Sequence, residues 1–239
     1  MNSRVFFQPG YRIVAIASIM LLAPHLNANI PGSMPQKGAS AKPASTPYGK
    51  AYDVLSQEWW LWSLMQPVAD NPTYGAPCAN GQSGDVWFLY GLFLPLNSVN
   101  CAIPAGKSLF MPVVNTECSS VEPFPFHGDT AQERQACAKA WIDYTTDLSI
   151  TIDGTTVKNL APLRTGSGDF SFTAPNGNIL GLPGPLWGFS SADGYYVLLS
   201  PLSVGAHTIQ IKANIRDPFD PTHPVVGPIN TTLYLTVAP

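Results

Sequence analysis

Hydrophobic positions along this chain change period several times, and each change marks an expected element. An apolar run from Ile13 to Ala23 follows the only early charges, Arg4 and Arg12. Across Tyr48–Gln66, Tyr52, Leu55, Trp59 and Trp62 recur at spacings of three and four. That spacing predicts an amphipathic helix, with Thr46 as N-cap, Pro47 in the first turn and Pro67 as terminator. From Asp85 the pattern turns strand-like. Val86–Tyr90 and Ser108–Val114 are short apolar runs. Leu148–Ile152 alternates, and Asp153-Gly154 predicts a type I′ hairpin into Thr155–Val157. Asp169–Thr173, Tyr195–Leu199, His207–Ala213 and Thr231–Val237 complete the expected strands. Thr130 and Glu133 have capping-box spacing, so a second helix is expected over Ala131–Tyr144. Many short strands between Gly/Pro turns predict a mainly β domain, a β-sandwich or jelly roll carrying two helices.

Arg4, Arg12, the short apolar run and Leu26-Asn27-Ala28 read as a secretory signal over residues 1–28. The run is shorter than the roughly 20 apolar residues a membrane span needs, so no span is expected after cleavage. Residues 29–50, rich in Pro, Ser, Ala and Lys, read as a flexible linker, and 51–239 as one β-rich domain. The expected location is periplasmic or extracellular.

Composition sharpens this. Only 11% of the residues are charged, and the chain has 24 Pro and 20 Gly. Such a chain suits neither a coiled coil nor a charged disordered tail. Residues 51–239 carry 7 basic and 15 acidic side chains. That balance argues against a nucleic-acid partner, which calls for a basic footprint.

Cys78, Cys101, Cys118 and Cys137 make an even set in an exported chain and imply two disulfides. Three pairings are possible. A straight strand between Cys101 and Cys118 holds its ends apart, which favours Cys78–Cys101 with Cys118–Cys137. A Cys₄ metal site is disfavoured because no CxxC pair is present.

Several segments together carry a resemblance: Trp59-Trp60-Leu61-Trp62-Ser63, Gly81-Gln82-Ser83-Gly84 with Val86-Trp87-Phe88-Leu89, Cys101-Ala102-Ile103-Pro104-Ala105-Gly106-Lys107, and Asp193-Gly194-Tyr195 leading to Pro201-Leu202 and Gly205-Ala206-His207-Thr208-Ile209. The chain resembles a family of exported bacterial proteins of unknown function. The resemblance implies secretion and a single domain, and it brings no activity.

Candidate chemistry clusters in two places. Asn115, Glu117, Glu122, His127 and Asp129 lie within fifteen residues, in a segment that Cys118 and Cys137 would pin. Glu117, Glu122 and His127 are the candidate acid–base residues, and Trp60, Asn115 and Asp129 the candidate ligand contacts. The same stretch also reads as a solvated loop entering a helix. A metal site there lacks HExxH or EF-hand spacing, and no cofactor is expected. Arg216, Asp217, Asp220 and His223 form a second, proline-stiffened cluster with weak metal spacing. His207 reads as a satisfied structural histidine, and Asp153 and Asp193 as turn residues before Gly. Gly81-Gln82-Ser83-Gly84 is not a nucleophile elbow, because Asp85 stands where the second Gly is needed. Ala105-Gly106-Lys107-Ser108 lacks the first Gly of a phosphate loop.

Trp60 is expected to face away from the Trp59/Trp62 stripe, with one helix face packed on a sheet and the other under a loop; the alternative is an aromatic platform for a flat ligand. The leading expectation is an exported protein that binds an extracellular or envelope ligand, with glycan as one candidate and with catalytic activity unproven. The alternatives are a secreted hydrolase or lyase using the 115–129 segment, and a structural envelope protein.

Overall fold

A computed structural model describes residues 50–90, 98–220, 222 and 224–239. The expected signal (1–28), the expected linker short of residue 50, Thr46-Pro47 and His223 lie outside the described residues.

The elements in chain order are α1 (Tyr52–Leu64), β1 (Val86–Phe88), β2 (Ser98–Pro104), β3 (Ser108–Ser119), α2 (Ala131–Asp143), β4 (Thr145–Ile152), β5 (Thr155–Thr156), β6 (Arg164–Ala174), β7 (Leu186–Leu199), β8 (Gly205–Arg216) and β9 (Pro224–Ala238). One sheet has the order β1-β3-β7-β6, the other β2-β9-β8-β4-β5, and the two form a sandwich-like arrangement. Each sheet has a parallel edge pair, β1 with β3 and β2 with β9, and the remaining pairings are antiparallel. The fold is mainly β, as the turn-punctuated alternation predicts.

Alternation explains the layers. In the five-stranded sheet Ile150, Ile152, Ile209, Ile211, Leu233 and Leu235 point inward and are buried. They share a core with Leu109, Met111, Val197 and Leu199 of the four-stranded sheet. The opposite face of that sheet presents Phe110, Tyr196 and Leu198 to α1: Tyr52 meets Phe110 edge-on and Trp60 Nε1 approaches the Tyr196 hydroxyl at 3.3 Å. α2 seals the end of the sandwich, packing Ala138, Trp141 and Ile142 against Val114, Ala213 and Ile215.

The helix boundaries have local causes. α1 begins at Tyr52 with Ala51 as an uncapped N-cap, later than the expected start. Gly49, a poor helix former, sits inside the expected first turn. At the other end, Asn71 Nδ2 donates to the Ser63 carbonyl at 2.7 Å, which satisfies a carbonyl left free by the end of the helix. α2 starts at the expected capping box, with Thr130 and Glu133 each bonding the other's backbone N–H. Asp153 and Gly154 both have positive φ, 47° and 77°, the geometry of the expected type I′ turn. Both disulfides form as favoured, Cys78–Cys101 and Cys118–Cys137.

Candidate functional site

The 115–129 cluster divides when folded. β3 continues to Ser119, so Glu117 is a strand residue and not part of the expected loop. Asn115, Glu117 and Ser119 pair with Gly194, Ala192 and Ser190 of β7 and share the face that carries Tyr196. Gly194 is required there: a Cβ would sit 2.7 Å from both Asn115 Cβ and the Val114 carbonyl oxygen. Glu117 is buried and accepts a short hydrogen bond from Ser190 Oγ. Beyond Ser119 the chain doubles back: Ser119 N donates to the Phe126 carbonyl and Gly128 N to the Ser119 carbonyl. That turn carries Glu122 onto the sheet, where Ser119 Oγ donates to its carboxylate at 2.8 Å. The side chains of Glu117 and Glu122 hydrogen-bond to each other.

Burial, reinforced by the neighbouring Glu122 charge, holds the Glu117 carboxyl well above the ordinary Glu range. Burial also raises Glu122, partly offset by its bonds to Glu117 and Ser119 and by the charge of His127. A buried carboxyl in contact with a half-buried one shares a proton with it more readily than both ionise.

His127 does not join them. Its Nδ1–H donates to the Glu122 backbone carbonyl at 2.7 Å, and Nε2 faces Asp129 Oδ1 at 3.0 Å on the exterior. The Asp129 carboxylate, followed by that carbonyl, raises its pKa. Asp129 is 87% exposed. Half-buried Glu122 thus stands between the buried Glu117 carboxyl and the exposed His127–Asp129 pair, and Glu117 and His127 do not meet. Asn115, two positions before Glu117 on the same face, has its side chain beside the Tyr196 hydroxyl.

Trp60 is not a ligand platform. It is 1% exposed, meets Trp59 edge-on at 5.1 Å and packs on Tyr196. The reason is that both flanks of α1 are covered, one by the sheet and the other by the segment from Pro67 to Leu89. Trp59 Nε1 donates to the Leu89 carbonyl and Trp62 Nε1 to the Asn80 carbonyl.

The second cluster also resolves into local structure. Asp217 Oδ1 accepts from Phe219 N, and Asp220 Oδ1 accepts from Thr222 N, both turn contacts. Asp193 is not a turn residue: it lies within β7 and accepts from Arg164 Nε at 2.8 Å. His207 is the satisfied histidine expected, bonded to Asp153 and to the Ser203 carbonyl.

The feature that sequence reasoning missed is a groove of about 610 Å³ between the exposed side of α1 and the 81–88 segment. Leu61, Trp62, Met65, Val86 and Phe88 supply its apolar surface. The Trp62 and Phe88 rings lie 5.8 Å apart at 46°. Glu58, Gln66, Ser83 and Asp85 supply polar groups, and Lys50 pairs with Glu58 at 2.6 Å. The Gly-Gln-Ser-Gly segment builds this wall. Gln82 clamps the end of β1, its Nε2 donating to the Cys78 and Phe88 carbonyls and its Oε1 accepting from Phe88 N. Gly81 and Gly84 turn the chain at positive φ, 66° and 69°. The available clue was the pairing of an aromatic helix with a glycine-flanked loop, but their adjacency depends on tertiary folding.

No family model and no curated protein matches this chain. Among solved structures it is similar to Amebosin, in a solution structure, at 12% identity and a TM-score of 0.22, over 65% of this chain and 100% of that one. It is also similar to the cysteine protease inhibitor EhICP2 from Entamoeba histolytica, at 11% identity and a TM-score of 0.21, over 64% of this chain and 96% of that one. Neither likeness carries an argument about this protein.

Proposed function

We propose that this is an exported protein that binds an extracellular or envelope ligand, of saccharide class, in the groove between α1 and the 81–88 segment. The observation that carries the reading is the groove's composition. Half-buried Phe88, exposed Met65 and the accessible edge of the otherwise buried Trp62 suit the apolar face of a sugar ring, and flanking amide, hydroxyl and carboxylate groups suit its hydroxyls. Its volume of about 610 Å³ falls in the range of small-ligand sites. Export rests on the Arg4–Ala28 signal pattern, and the two disulfides fit an oxidising compartment. Binding is favoured over hydrolysis because the Glu117 carboxyl is buried under the turn while the His127 imidazole faces Asp129 on the exterior. Among the described residues, no helix is long and apolar enough to cross a membrane.

The test is calorimetry of the mature protein against soluble chito-, cello- and malto-oligosaccharides and peptidoglycan fragments. Saturable binding that Met65→Ala and Asp85→Ala each weaken by tenfold or more, about 1.4 kcal/mol, supports the groove. Binding unchanged in both variants, or no binding to any of these sugars, removes the reading. N-terminal sequencing of exported protein is expected to begin at Asn29, and retention of Met1 counts against a cleaved signal.

A further inference from the structure

The Glu117–Glu122 pair lies apart from the groove and plays no part in ligand binding there. Its surroundings are unusual for two acids. Glu117 projects from β3 into the face shared with Tyr196, and its oxygen is held by Ser190 of β7. Glu122 reaches the same place from the following turn and is held by Ser119. Ser119 and Ser190 are themselves cross-strand partners, so the two carboxyls sit on adjacent hydroxyls. Among the described residues, neither carboxylate forms an ion pair with Lys or Arg. The nearest guanidinium of α2, Arg134, is committed on the other face of the sheet to Asp169, with both contacts at 2.8 Å.

The turn itself fits the sheet closely. Ser120 N donates to the Phe189 carbonyl, and Phe189 N donates to Ser120 Oγ. Val121 packs where Gly188 has no side chain: a Cβ there would sit 2.8 Å from Val121 Cγ1. Phe126 stacks on Trp141 of α2 at 4.8 Å. The disulfide Cys118–Cys137 ties the base of the turn to α2.

We propose that the turn from Ser120 to His127 is a proton-held clasp. A proton shared between Glu117 and Glu122 keeps the turn on the four-stranded sheet, and its loss, which places two negative charges in one buried site, drives the turn off. The charges facing the pair set the direction. Each carboxylate faces the other, and Glu122 also faces His127. Asp129 lies beyond the imidazole on the exterior and Glu133 is the other acid acting on that ring, so the turn gains negative charge once His127 loses its proton. β7 presents a hydroxyl, and the opposite face holds the closed Arg134–Asp169 pair. Raising the pH therefore adds repulsion, and the facing cation, His127, is itself neutralised as the pH rises through its raised pKa.

The sign follows from linkage. When the turn opens, both carboxyls enter water and titrate in the ordinary Glu range, near 4.5. Above that range, opening releases the retained proton, so the opening equilibrium rises about tenfold per pH unit until the closed pair itself ionises. Buried glutamates are documented with pKa values up to about 8–9, which sets the window to scan.

The experiment is hydrogen exchange of the full mature protein by mass spectrometry from about pH 5 to about pH 9, corrected for intrinsic exchange rates. The readout is the peptide covering 119–127, with peptides from β8 as the reference. The expected result is a rise in opening of about tenfold per pH unit confined to that peptide. Glu122→Gln is expected to flatten the rise. Glu117→Gln is expected to do the same, and if it fails to fold the exposed-turn variant Glu122→Gln alone decides. His127→Gln is expected to retain the rise. A flat wild-type profile overturns the proposal. So does a rise that survives Glu122→Gln, or one that disappears in His127→Gln alone, which would assign the response to the imidazole.

Discussion

Asp153 and His207 are joined by a 2.7 Å contact between Oδ2 and Nδ1, which fastens the β4–β5 turn to the start of β8. Asp153 Oδ1 also accepts from Thr208 N, and His207 Nε2 lies 2.9 Å from the Ser203 carbonyl oxygen. Both ring nitrogens thus face acceptors, an arrangement that suits the doubly protonated ring. The Ser203 hydroxyl lies 3.4 Å from the same Nε2. Burial works against the charged ring, but the Asp153 carboxylate and the Ser203 carbonyl outweigh it, and the pKa is raised above 6.5. A histidine raised on folding contributes stability that is fully present below pH 6.5 and lost as pH rises through the folded value. The expected outcome is a denaturation midpoint that falls as pH rises above 6.5, less steeply in His207→Gln than in wild type. A midpoint equally pH-dependent in wild type and variant would count against this assignment.

Trp59 and Trp60 are expected to behave alike. Both are essentially inaccessible, and each indole N–H is engaged, by the Leu89 carbonyl and the Tyr196 hydroxyl respectively. Replacing either with Ala removes a large buried side chain and costs about 3–5 kcal/mol. Parallel chemical denaturation of the two variants checks this. A Trp60→Ala protein with wild-type stability would return that residue to a surface role.

The Arg134–Asp169 pair staples α2 to β6. Arg134 is 4% exposed, and Asp169 additionally accepts from Ser191. Deleting one partner leaves a buried charge without its counterion, which typically costs about 3–5 kcal/mol. Asp169→Ala is expected near the lower end, because the Gly128 and Asp129 carbonyls still accept from the guanidinium. Equilibrium unfolding measures it, and a loss below about 1 kcal/mol would mean that the pair behaves like a surface contact.

The strands that sequence alternation revealed are those with one wet face. Ile209 and Ile211 alternate with Thr208, Gln210 and Lys212, and the period is plain. β2 escaped detection because its inward residues, Val99, Cys101 and Ile103, are few and Pro104 follows directly. The first half of β7 escaped because Gly188, Ser190, Ser191 and Gly194 have low strand propensity, and their small size is what admits Val121, Glu117 and Asn115. Tertiary approach overrode local preference there. Glu117 was legible as a candidate from its scarcity in a low-charge chain. Its meeting with Glu122 and its separation from His127 depend on the reversal after Ser119, which local pattern does not encode. For Trp60 the packed reading holds and the platform alternative does not, a choice that helical period alone cannot make because it does not show that a second flank is covered.

The two disulfides are expected to differ in lability. Cys118, Cys101 and Cys78 are buried, whereas Cys137, on the partly exposed side of α2, is the most accessible of the four. A small thiolate needs access to one sulfur, so Cys118–Cys137 is expected to open first under native conditions. It closes a sequence separation of 19, and its loss is worth about 3 kcal/mol in the chain-entropy model. For a domain of this size that corresponds to a fall in Tm of about 6–12 °C. Brief treatment with a mild reductant, alkylation and peptide mapping identify which pair is labelled first. Labelling of Cys78 and Cys101 ahead of Cys118 and Cys137 would show that solvent reaches the first bridge more readily than its burial implies. A Cys118→Ser, Cys137→Ser protein with unchanged Tm would show that the burial of Trp141 and Ile142 holds α2 in place without the bridge.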